Sequence, residues 1–514
     1  MLEWLNKQKY ILVKNVHTYR QGDLRIAHDV NSGSLHLLDE ETFAVLKACE
    51  DLQSQEKDIS AEKILQTCRE YGKSAVTEEV FAEILAELAE LFREGTLFSP
   101  EVELLPPSYP EQPMIKALCL HVAHDCNLRC RYCFAGTGAF GGTRRIMDLE
   151  TGKRAVDFVL AASGQREHCE IDFFGGEPLL NFTLIQELVK YGNEAAARQK
   201  KNIKFTLTTN GLLLDEAVKE FLEREEISVV LSLDGRPEIN DRMRPHSDGR
   251  GSYANVMPRI QSFTEKRPSD SPFALGTYYY VRGTYTRLNP DFDKDVQHLA
   301  DLGLRQISLE PVVAGPGAAY ALREEDLPGI YEAYDRLGEE ILARRSQGNA
   351  FNFFHFNVAL DQGPCLIKRL SGCGAGHEYA AVSPEGDIYP CHQFVGQAEY
   401  KLGSLCEESS SVGEISSSGE PHSFGKDVFS REQPGRKFLL ELKAELVRDF
   451  RSADISAKLS CRICWARFAC SGGCHAANVA STGSLKSVYE LGCALQKKRL
   501  EVAFYVKIKE TMVQ

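Results

Sequence analysis

The chain has 514 residues, of which 43% are hydrophobic and 26% are charged, and its formal net charge is −13. This length and apolar fraction predict a large globular protein of several domains. The acidic balance argues against a nucleic-acid-binding surface, because phosphate contacts need clustered lysines and arginines. No run of about 18 apolar residues is present, and the first residues lack the apolar stretch of a signal peptide. We therefore expect no membrane span and a cytoplasmic protein.

Residues 1–100 begin with short strand-like runs and continue with helical periodicity. The strand-like runs are YILVKN (10–15), LRIAHDV (24–30) and LHLLD (35–39), and the helical runs are 40–52, 60–72 and 77–95. Strands followed by three short helices predict a small winged-helix-like domain, which a proline-rich linker, 101–114, brings to an end. A plain dimerisation or packing module would show the same order of elements.

Strands and helices alternate from residue 115 to residue 350. The candidate strands are KALCLHVAH (116–124), CEIDFF (169–174), IKFTLTTN (203–210), SVVLSLD (228–234), FALGTYYYV (273–281) and RQISLEPV (305–312). This alternation predicts an α/β fold in which a parallel sheet carries helical crossovers. The carboxyl ends of such strands share one edge of the sheet, where functional residues collect.

Three cysteines follow the first of these strands. Cys126, Cys130 and Cys133 form the pattern C-x3-C-x2-C, with the aromatic Tyr132 inside the last gap. Structural zinc takes four protein ligands and a cubane iron–sulfur cluster takes four thiolates. Three thiolates on a cluster therefore leave one iron open to an exogenous ligand. Half of a zinc site, or three buried cysteines, is the alternative interpretation.

Short polar motifs follow the next three strands. GGEP (175–178) has glycines that let a backbone approach a ligand closely and a carboxylate that suits an ammonium group. TTNG (208–211) and SLDG (232–235) end the following two strands. Asn, Asp and Gly also favour ordinary turns and caps, so each of these residues has a structural alternative. The candidate ligand-binding residues are Gly175, Gly176, Glu177, Pro178, Thr208, Asn210, Ser232 and Asp234.

A second group of cysteines lies in residues 351–514. Cys373 and Cys391 come first, followed by C-x2-C-x5-C-x3-C from Cys461 to Cys474, and then by Cys493. In a cytosolic chain, cysteines in such numbers indicate metal or cluster ligands rather than disulfides. C-x2-C with further cysteines nearby is also typical of zinc knuckles, so zinc is the alternative. The Ser/Gly-rich stretch 406–427 is expected to be a mobile loop.

The C-x3-C-x2-C loop followed by GGEP resembles the radical S-adenosylmethionine (radical SAM) enzymes. The seven later cysteines resemble the SPASM extension of the peptide-modifying members of that family. The resemblance implies a partial (β/α)6 barrel over 115–350, with SAM bound at its strand ends. It also implies three [4Fe–4S] clusters, of which two are auxiliary clusters held by the region 351–514.

The resemblance also implies how the cysteines divide among the clusters. Cys126, Cys130 and Cys133 would hold the SAM-binding cluster. The distal auxiliary cluster would have four ligands, Cys461, Cys464, Cys470 and Cys493. The proximal auxiliary cluster would have Cys373, Cys391 and Cys474. Its fourth corner would be filled by Cys365, eight positions before Cys373, or left open for a substrate thiolate.

The stretches LHVAHDCNLRCRYCFAG and SGCGAGHEYAAVSPEGDIYPCHQFVG look most like those of the maturases of SCIFF peptides (six cysteines in forty-five residues). Those enzymes form thioether cross-links. The resemblance implies a small cysteine-rich precursor peptide as substrate, and an electron donor such as flavodoxin or ferredoxin. It further implies that residues 1–100 bind the leader of the peptide as an added strand.

Other activities stay open. Relatives that make formylglycine carry an Asp directly after the cysteine equivalent to Cys391, and His392 stands there instead, which puts sulfatase maturation in doubt. His392 is itself a candidate base, although a lone histidine is equally often a structural hydrogen-bonding group. Carbon–carbon cross-linking, epimerisation and a role as a peptide-binding scaffold are the remaining alternatives.

Overall fold

The computed structural model describes residues 2, 6, 10–55, 59–72, 76–265, 267, 279–315, 317–358, 366–406 and 442–513. Cys365, most of the Ser/Gly-rich stretch 406–427 and the first part of FALGTYYYV (273–281) lie outside the described residues. The chain divides into two compact units. Unit 1 consists of Met1–Pro107, Arg323–Gly372 and Ala453–Gln514, and unit 2 consists of Ser108–Leu322 and Cys373–Ser452.

Unit 1 begins with a three-stranded antiparallel sheet. The short helix Leu12–Asn15 leads into β1 (Val16–Gln21), β2 (Leu24–Asp29) and β3 (Leu35–Leu37), which pair in the order β1-β2-β3. The strand predicted at YILVKN is therefore wrong, since the chain turns helically there before β1. Leu12 and Asn15 are buried in that turn, and the Asn15 side chain donates to the carbonyl of Ile11 at 3.1 Å. Tertiary burial thus overrides the β-branched composition of this run.

Three helices follow β3, as the periodicity predicted. They span Glu40–Ser54, Ala61–Glu70 and Glu78–Glu94. The side chains of Asp39, Ser60 and Thr77 accept a backbone N–H two or three residues into each helix, so each helix begins at a capping residue. The last helix ends at Gly95, whose φ of 71° is the left-handed conformation that glycine favours. The helices bury Val45, Leu52, Ile64, Phe81 and Leu88 in one core.

The later segments of unit 1 are helical. Their helices are Leu327–Ser346, Leu366–Ser371, Leu459–Arg462, Arg467–Cys470, His475–Thr482 and Glu490–Val513, with the two-residue strand β11 at Asn352–Phe353. The two long helices, Leu327–Ser346 and Glu490–Val513, pack together, and a Cβ added at Gly338 would lie 2.7 Å from Val502 Cγ1. Helix Glu490–Val513 also meets β1, where His17 Nε2 lies 2.9 Å from Glu501 Oε1. Residues from both ends of the sequence therefore share one unit.

Unit 2 is built on a mostly parallel sheet. The parallel strands are β4 (Ala117–His124), β6 (His168–Gly175), β7 (Asn202–Thr209), β8 (Ser228–Ser232), β9 (Tyr279–Tyr285) and β10 (Gln306–Pro311). They run in the order β10-β9-β8-β7-β6-β4, and β5 (Arg145–Ile146) pairs antiparallel with β4. The helices of this unit are Leu149–Ala162, Phe182–Arg198, Glu216–Arg224, Pro237–Met243, Tyr253–Thr264, Phe292–Asp301 and Ala444–Arg451. The predicted α/β class and its six parallel strands are confirmed.

The sheet continues beyond β4 with strands that the sequence did not predict. β12 (Tyr379–Val382) pairs parallel with β4, and β13 (Asp387–Tyr389) and β14 (Gly403–Ser404) follow antiparallel. The strand that precedes Cys391, β13, therefore belongs to the same sheet as β4, the strand that leads into the C-x3-C-x2-C loop. Among the described residues, no helix is both long and apolar enough to cross a membrane.

Candidate active site and cysteine cavities

A cavity of about 360 Å³ opens at the carboxyl ends of the parallel strands of unit 2. The predicted site residues that line it are Cys126, Cys130, Cys133, Gly175, Gly176, Thr208, Asn210, Ser232 and His392. Glu177, Pro178 and Asp234 are buried beside it and do not line it. The structure therefore brings together residues that are spread over 260 positions of the chain, because parallel strands end at a common edge.

The cysteine loop is held by donors directed at sulfur. The N–H of Leu128 lies 3.4 Å from the Sγ of Cys126, and the amide of Asn210 lies 3.6 Å from the same sulfur. Burial, with a smaller contribution from Glu177, raises the pKa of the Cys126 thiol to about 12, and burial raises that of Cys130 to about 11. Such thiols lose their protons when a metal binds, and the amide donors then stabilise the thiolate.

Tyr132, the aromatic residue of this loop, is anchored by a buried ion pair. Its hydroxyl donates to both carboxyl oxygens of Asp234, at 2.8 and 2.7 Å. Arg244 Nε donates to the same carboxylate at 2.9 Å, and its guanidinium lies 5.4 Å from the centre of the Tyr132 ring. Asp234 also accepts the backbone N–H of Thr284 at 3.0 Å. All of these contacts are within the protein, so Asp234 orients the cysteine loop.

Gly175 and Gly176 have no room for a side chain. A Cβ on Gly175 would lie 2.2 Å from the carbonyl oxygen of Ala123, and a Cβ on Gly176 would lie 2.2 Å from that of Asp125. The N–H of Gly176 donates to the Ala123 carbonyl at 2.8 Å. The glycines therefore let β6 approach the end of β4, a demand that exists without any ligand.

The carboxylate of Glu177 is directed into the protein. It accepts from the N–H groups of Asn210 and Leu179, at 2.8 and 3.1 Å, and from the hydroxyl of Thr209 at 2.7 Å. Burial raises its pKa to about 7, and these hydrogen bonds oppose the rise. Glu177 thus ties β6 to β7 and holds Asn210 beside Cys126.

Asp172 is a cavity residue that sequence reasoning missed. It lies on β6, lines the cavity, and accepts the hydroxyl of Thr206 at 2.8 Å and that of Thr208 at 3.4 Å. Burial raises its pKa to about 6, against these two hydroxyl donors. The signal available in the sequence was an acidic residue in the middle of the apolar strand CEIDFF. Arg282 and Glu310, which lie 3.7 Å apart, line the same cavity and were also missed.

His392 lines the cavity beside the aromatic side chains of Tyr379, Phe134 and Phe174. The hydroxyl of Tyr379 lies 3.2 Å from His392 Nδ1, and the imidazole packs against Phe134 and Phe174. Burial is the largest cause that lowers the pKa of His392, to about 4, and the charge of Arg282 adds to it. Tyr379 therefore fixes the orientation of the ring that the sequence singled out.

A second, smaller cavity lies within unit 1 and is lined by thiols. It measures about 50 Å³, and all four cysteines assigned to the distal cluster border it, namely Cys461, Cys464, Cys470 and Cys493. Burial raises the pKa of Cys461 to about 11, with Cys470 and Cys464 adding to the rise. Of the cysteines assigned to the proximal cluster, Cys373 and Cys391 belong to unit 2 and Cys474 belongs to unit 1.

The donor sets of both cavities fit iron–sulfur clusters better than oxygen-seeking cations, because thiols are the ligands that Fe–S clusters take. Three thiols around the larger cavity leave space for an exogenous ligand, and a volume near 360 Å³ is within the range of small-molecule sites. Within the described part of the chain, no three His, Cys, Asp or Glu side chains form a group suited to one metal ion.

Comparison with known proteins agrees with this geometry. Residues 120–269 match the family model of the radical SAM superfamily, so the chain contains a radical SAM domain. An uncharacterized protein of Methanocaldococcus jannaschii is 33% identical over 196 residues, which is 38% of this chain and 62% of that protein. The match therefore spans less than two thirds of that relative.

Two further similarities extend over more of the chain. A cysteine-type anaerobic sulfatase-maturating enzyme of Clostridium perfringens is 26% identical over 344 residues, covering 63% of this chain and 86% of that enzyme. The structure of anSMEcpe with bound AdoMet superposes with a TM-score of 0.60 at 20% identity, covering 77% of this chain and 95% of that one. At this identity the superposition establishes a shared α/β radical SAM fold.

Proposed function

We propose that this chain is a radical SAM enzyme that installs a thioether cross-link in a ribosomally made, cysteine-rich peptide. The observation that carries the proposal is the presence of two separate thiol-lined cavities, one at the strand ends with three cysteines and one within unit 1 with four. A radical SAM domain needs the first cavity alone. A chain that also builds the second has the cysteines for auxiliary chemistry on a substrate.

Bound at these sites, SAM and the iron–sulfur clusters would supply hydrogen abstraction from a substrate carbon and acceptance of the electron released by bond formation. Cys126, Cys130 and Cys133 would hold the SAM-binding cluster. Cys461, Cys464, Cys470 and Cys493 would hold the distal auxiliary cluster. Cys373, Cys391 and Cys474 would hold the proximal one, with Cys365 or a substrate thiolate at its fourth corner.

The protein's own groups at the cavity bind SAM, orient neighbouring side chains and accept protons from the substrate. The hydroxyls of Thr208 and Ser232 and the amide of Asn210 stand at successive strand ends, where they can bind the polar atoms of SAM. Glu177 supports this group by fixing Asn210, and Asp234 supports it by fixing Tyr132. These two carboxylates, which the sequence assigned to SAM binding, thus also position other residues of the cavity.

Cross-linking of a thiol to carbon removes one hydrogen from the carbon and one proton from the thiol. The proton needs an acceptor in the cavity. Asp172 and His392 both line the cavity and both can accept a proton. Asp172 has one oxygen held by Thr206 at 2.8 Å, whereas the second oxygen accepts, among the described residues, only the hydroxyl of Thr208 at 3.5 Å. That second oxygen is available to a substrate group.

Leader recognition is assigned to the sheet of residues 16–37. β1 and β3 are the two edge strands of the order β1-β2-β3, and helix Glu490–Val513 packs against β1. Strand addition uses such an edge, so β3 is the strand we assign to it. A groove of about 470 Å³ runs beside it, bordered by Leu35 and Leu37 on the strand side and by Ile508 and Met512 of the last helix. Both Leu37 and Met512 are exposed. An extended peptide could pair with β3 and place apolar side chains in this groove.

Formylglycine formation is the second candidate, favoured by the similarity to the sulfatase-maturating enzyme. One incubation separates the candidates: reconstituted protein, reductant, SAM and a cysteine-rich peptide with its leader. A thioether product loses two hydrogens and one alkylatable cysteine. A carbon–carbon product loses two hydrogens and keeps every cysteine. Epimerisation leaves the mass unchanged, and formylglycine formation from cysteine replaces sulfur by oxygen and also removes two hydrogens. Absence of turnover would favour the alternative that the chain is a peptide-binding scaffold.

The leader proposal has its own experiment. Leu37→Asp should weaken binding of the full peptide about tenfold or more, because a carboxylate replaces an apolar contact beside the strand. SAM cleavage without peptide should be unchanged. Val13→Asp is the matched control, since Val13 is an exposed apolar residue of unit 1 outside the sheet. Equal loss of affinity in both variants would contradict binding at β3.

A further inference from the structure

Arg467 lies among the four cysteines of unit 1 and is itself buried. It stands three positions after Cys464, at the start of helix Arg467–Cys470, and borders the same cavity as the four thiols. Its exposed fraction is 1%. A guanidinium stays charged in a protein, and burial of a charge is costly unless hydrogen bonds and opposite charge compensate it. The acceptors of its N–H groups therefore show what compensates the buried charge.

Four of the five N–H groups of Arg467 are used within the protein. Nη1 donates to the carbonyl oxygens of Lys14 and Cys464, at 2.8 and 3.0 Å. Nη2 donates to the side-chain oxygens of Asn15 and Asn31, both at 3.0 Å. Asn15 closes the helical turn before β1, and Asn31 follows β2. The guanidinium of Arg467 thus links the residues that flank β1 and β2 to the segment that carries Cys464.

The fifth donor is unused. Nε of Arg467 is buried without a hydrogen-bond partner among the described residues, although the side chain borders the cavity of the thiols. A buried donor of a charged group without an acceptor is rare and destabilising. The four cysteines of its wall offer sulfur as an acceptor, and the side chains of Glu490 and Gln496 border the cavity as well.

A second buried cation stands three positions before Cys461. Lys458 is 1% exposed, and its ammonium donates to the carbonyl oxygen of Gly472 at 2.8 Å. Neither cation has an ion pair among those seen in the described residues. Four thiolates would add negative charge beside both cations, in addition to the carboxylate of Glu490 at the cavity, whereas four neutral thiols would add none.

We propose that Arg467 is a positioning residue of the four-cysteine site: its Nε–H donates to a sulfur of the group that the cysteines hold, while its Nη groups fasten Asn15 and Asn31. The inference rests on the proposed function in one respect, that this site holds an iron–sulfur cluster. Hydrogen bonds to the sulfurs and nearby positive charge stabilise the reduced form of such a cluster, which raises its reduction potential.

The experiment uses reconstituted full-length protein and measures the midpoint potential of each cluster by redox titration with electron paramagnetic resonance. Arg467→Lys keeps the charge and removes the Nε–H and the fork. We expect one cluster to shift to a more negative potential while the other clusters stay unchanged and serve as internal references. Arg462→Lys is the matched control, because Arg462 is exposed on the same segment. It should shift none.

Asn31→Ala provides a second variant in case Arg467→Lys does not fold. It leaves Arg467 in place and removes one acceptor of Nη2, so we expect a smaller shift in the same direction. Unchanged potentials with a full iron content in the variant that folds would overturn the role of Arg467 and leave the proposed function intact. Zinc in place of iron at these cysteines in the wild-type protein would overturn both, so the two failures are distinguishable.

Discussion

The two thiol-lined cavities differ in what surrounds the sulfurs. At the strand ends of unit 2, three cysteines share a cavity of about 360 Å³ with Asp172, Thr208, Asn210 and Ser232. In unit 1, four cysteines share about 50 Å³ with buried Arg467. The first arrangement has space for a ligand and polar groups along its wall. The second has a full set of thiols and cationic neighbours but no comparable space.

This difference shows how one type of donor serves two purposes. An iron–sulfur cluster takes four protein thiolates when it is closed, and an open corner needs both a missing ligand and space beside it. The strand-end cavity meets both conditions. The cavity of unit 1 meets neither, so we expect electron transfer there and ligand binding only at the strand ends. Four sets of substitutions test this difference between the two cavities.

The largest effect is expected from Cys126→Ala, Cys130→Ala and Cys133→Ala made together. The wild-type protein should carry about twelve iron atoms in three cubanes, and the variant about eight. Formation of deoxyadenosine should fall to background, because the cavity then holds no thiol. Iron analysis and chromatography of the nucleoside products measure the two quantities. Deoxyadenosine at the wild-type rate would contradict the assignment of this cavity.

Gly175→Ala tests whether the glycine pair is required by the fold. Since its Cβ would lie 2.2 Å from a backbone oxygen and its φ is 138°, the strand β6 must move. We expect a loss of about 4 kcal/mol in unfolding free energy, in the range of severe core changes. Urea unfolding followed by circular dichroism measures it. Gly142→Ala, where the nearest atom would be 3.5 Å away, should cost less than about 1 kcal/mol.

Asp234→Ala tests the anchor of the cysteine loop. The substitution leaves Arg244 buried without its carboxylate and frees the Tyr132 hydroxyl, so we expect a loss of about 3 kcal/mol. The same unfolding experiment applies. Asp248→Ala removes the carboxylate of an exposed pair with Arg250 and should change the stability far less than Asp234→Ala does. Equal effects would show that Asp234 does not anchor the loop.

The smallest effect concerns Asp172 and pH. Its pKa is raised from 3.8 to about 6, so the folded chain binds this proton more tightly than the unfolded chain. The contribution of Asp172 to stability therefore falls as the pH rises from about 4 to about 6, and stays low above that. Asp172→Asn should remove this fall, a gain of about 2 kcal/mol over wild type at neutral pH.

Unfolding free energies of wild type and Asp172→Asn, measured from about pH 4 to about pH 7, test this expectation. Asp248→Asn is the control, because the pKa of Asp248 is lowered by the backbone N–H and side chain of Arg250 and its proton is released below this range. A constant difference between wild type and Asp172→Asn would show that burial does not raise the pKa of Asp172.

Much of the strand-end site was predictable. Strand periodicity placed β4, β6, β7 and β8, and polar residues directly after such strands had to share one edge of a parallel sheet. The hydrogen-bond partners of individual side chains were harder to predict from the sequence. Glu177 was expected to bind a ligand, and its hydrogen bonds to Thr209 and Asn210, 32 and 33 residues away, were not predicted. Asp172, inside a strand, carries no motif at all.

The sequence by itself determined what depends on near neighbours: the spacing of Cys126, Cys130 and Cys133, the capping of helices by Asp39, Ser60 and Thr77, and the α/β alternation. These features follow from local geometry and periodicity. Only the tertiary structure decided which distant groups meet, such as Arg467 with Asn15 and Asn31, more than 430 positions apart. Hydrogen bonds form only near 3 Å, so such partners are decided by strand register and packing.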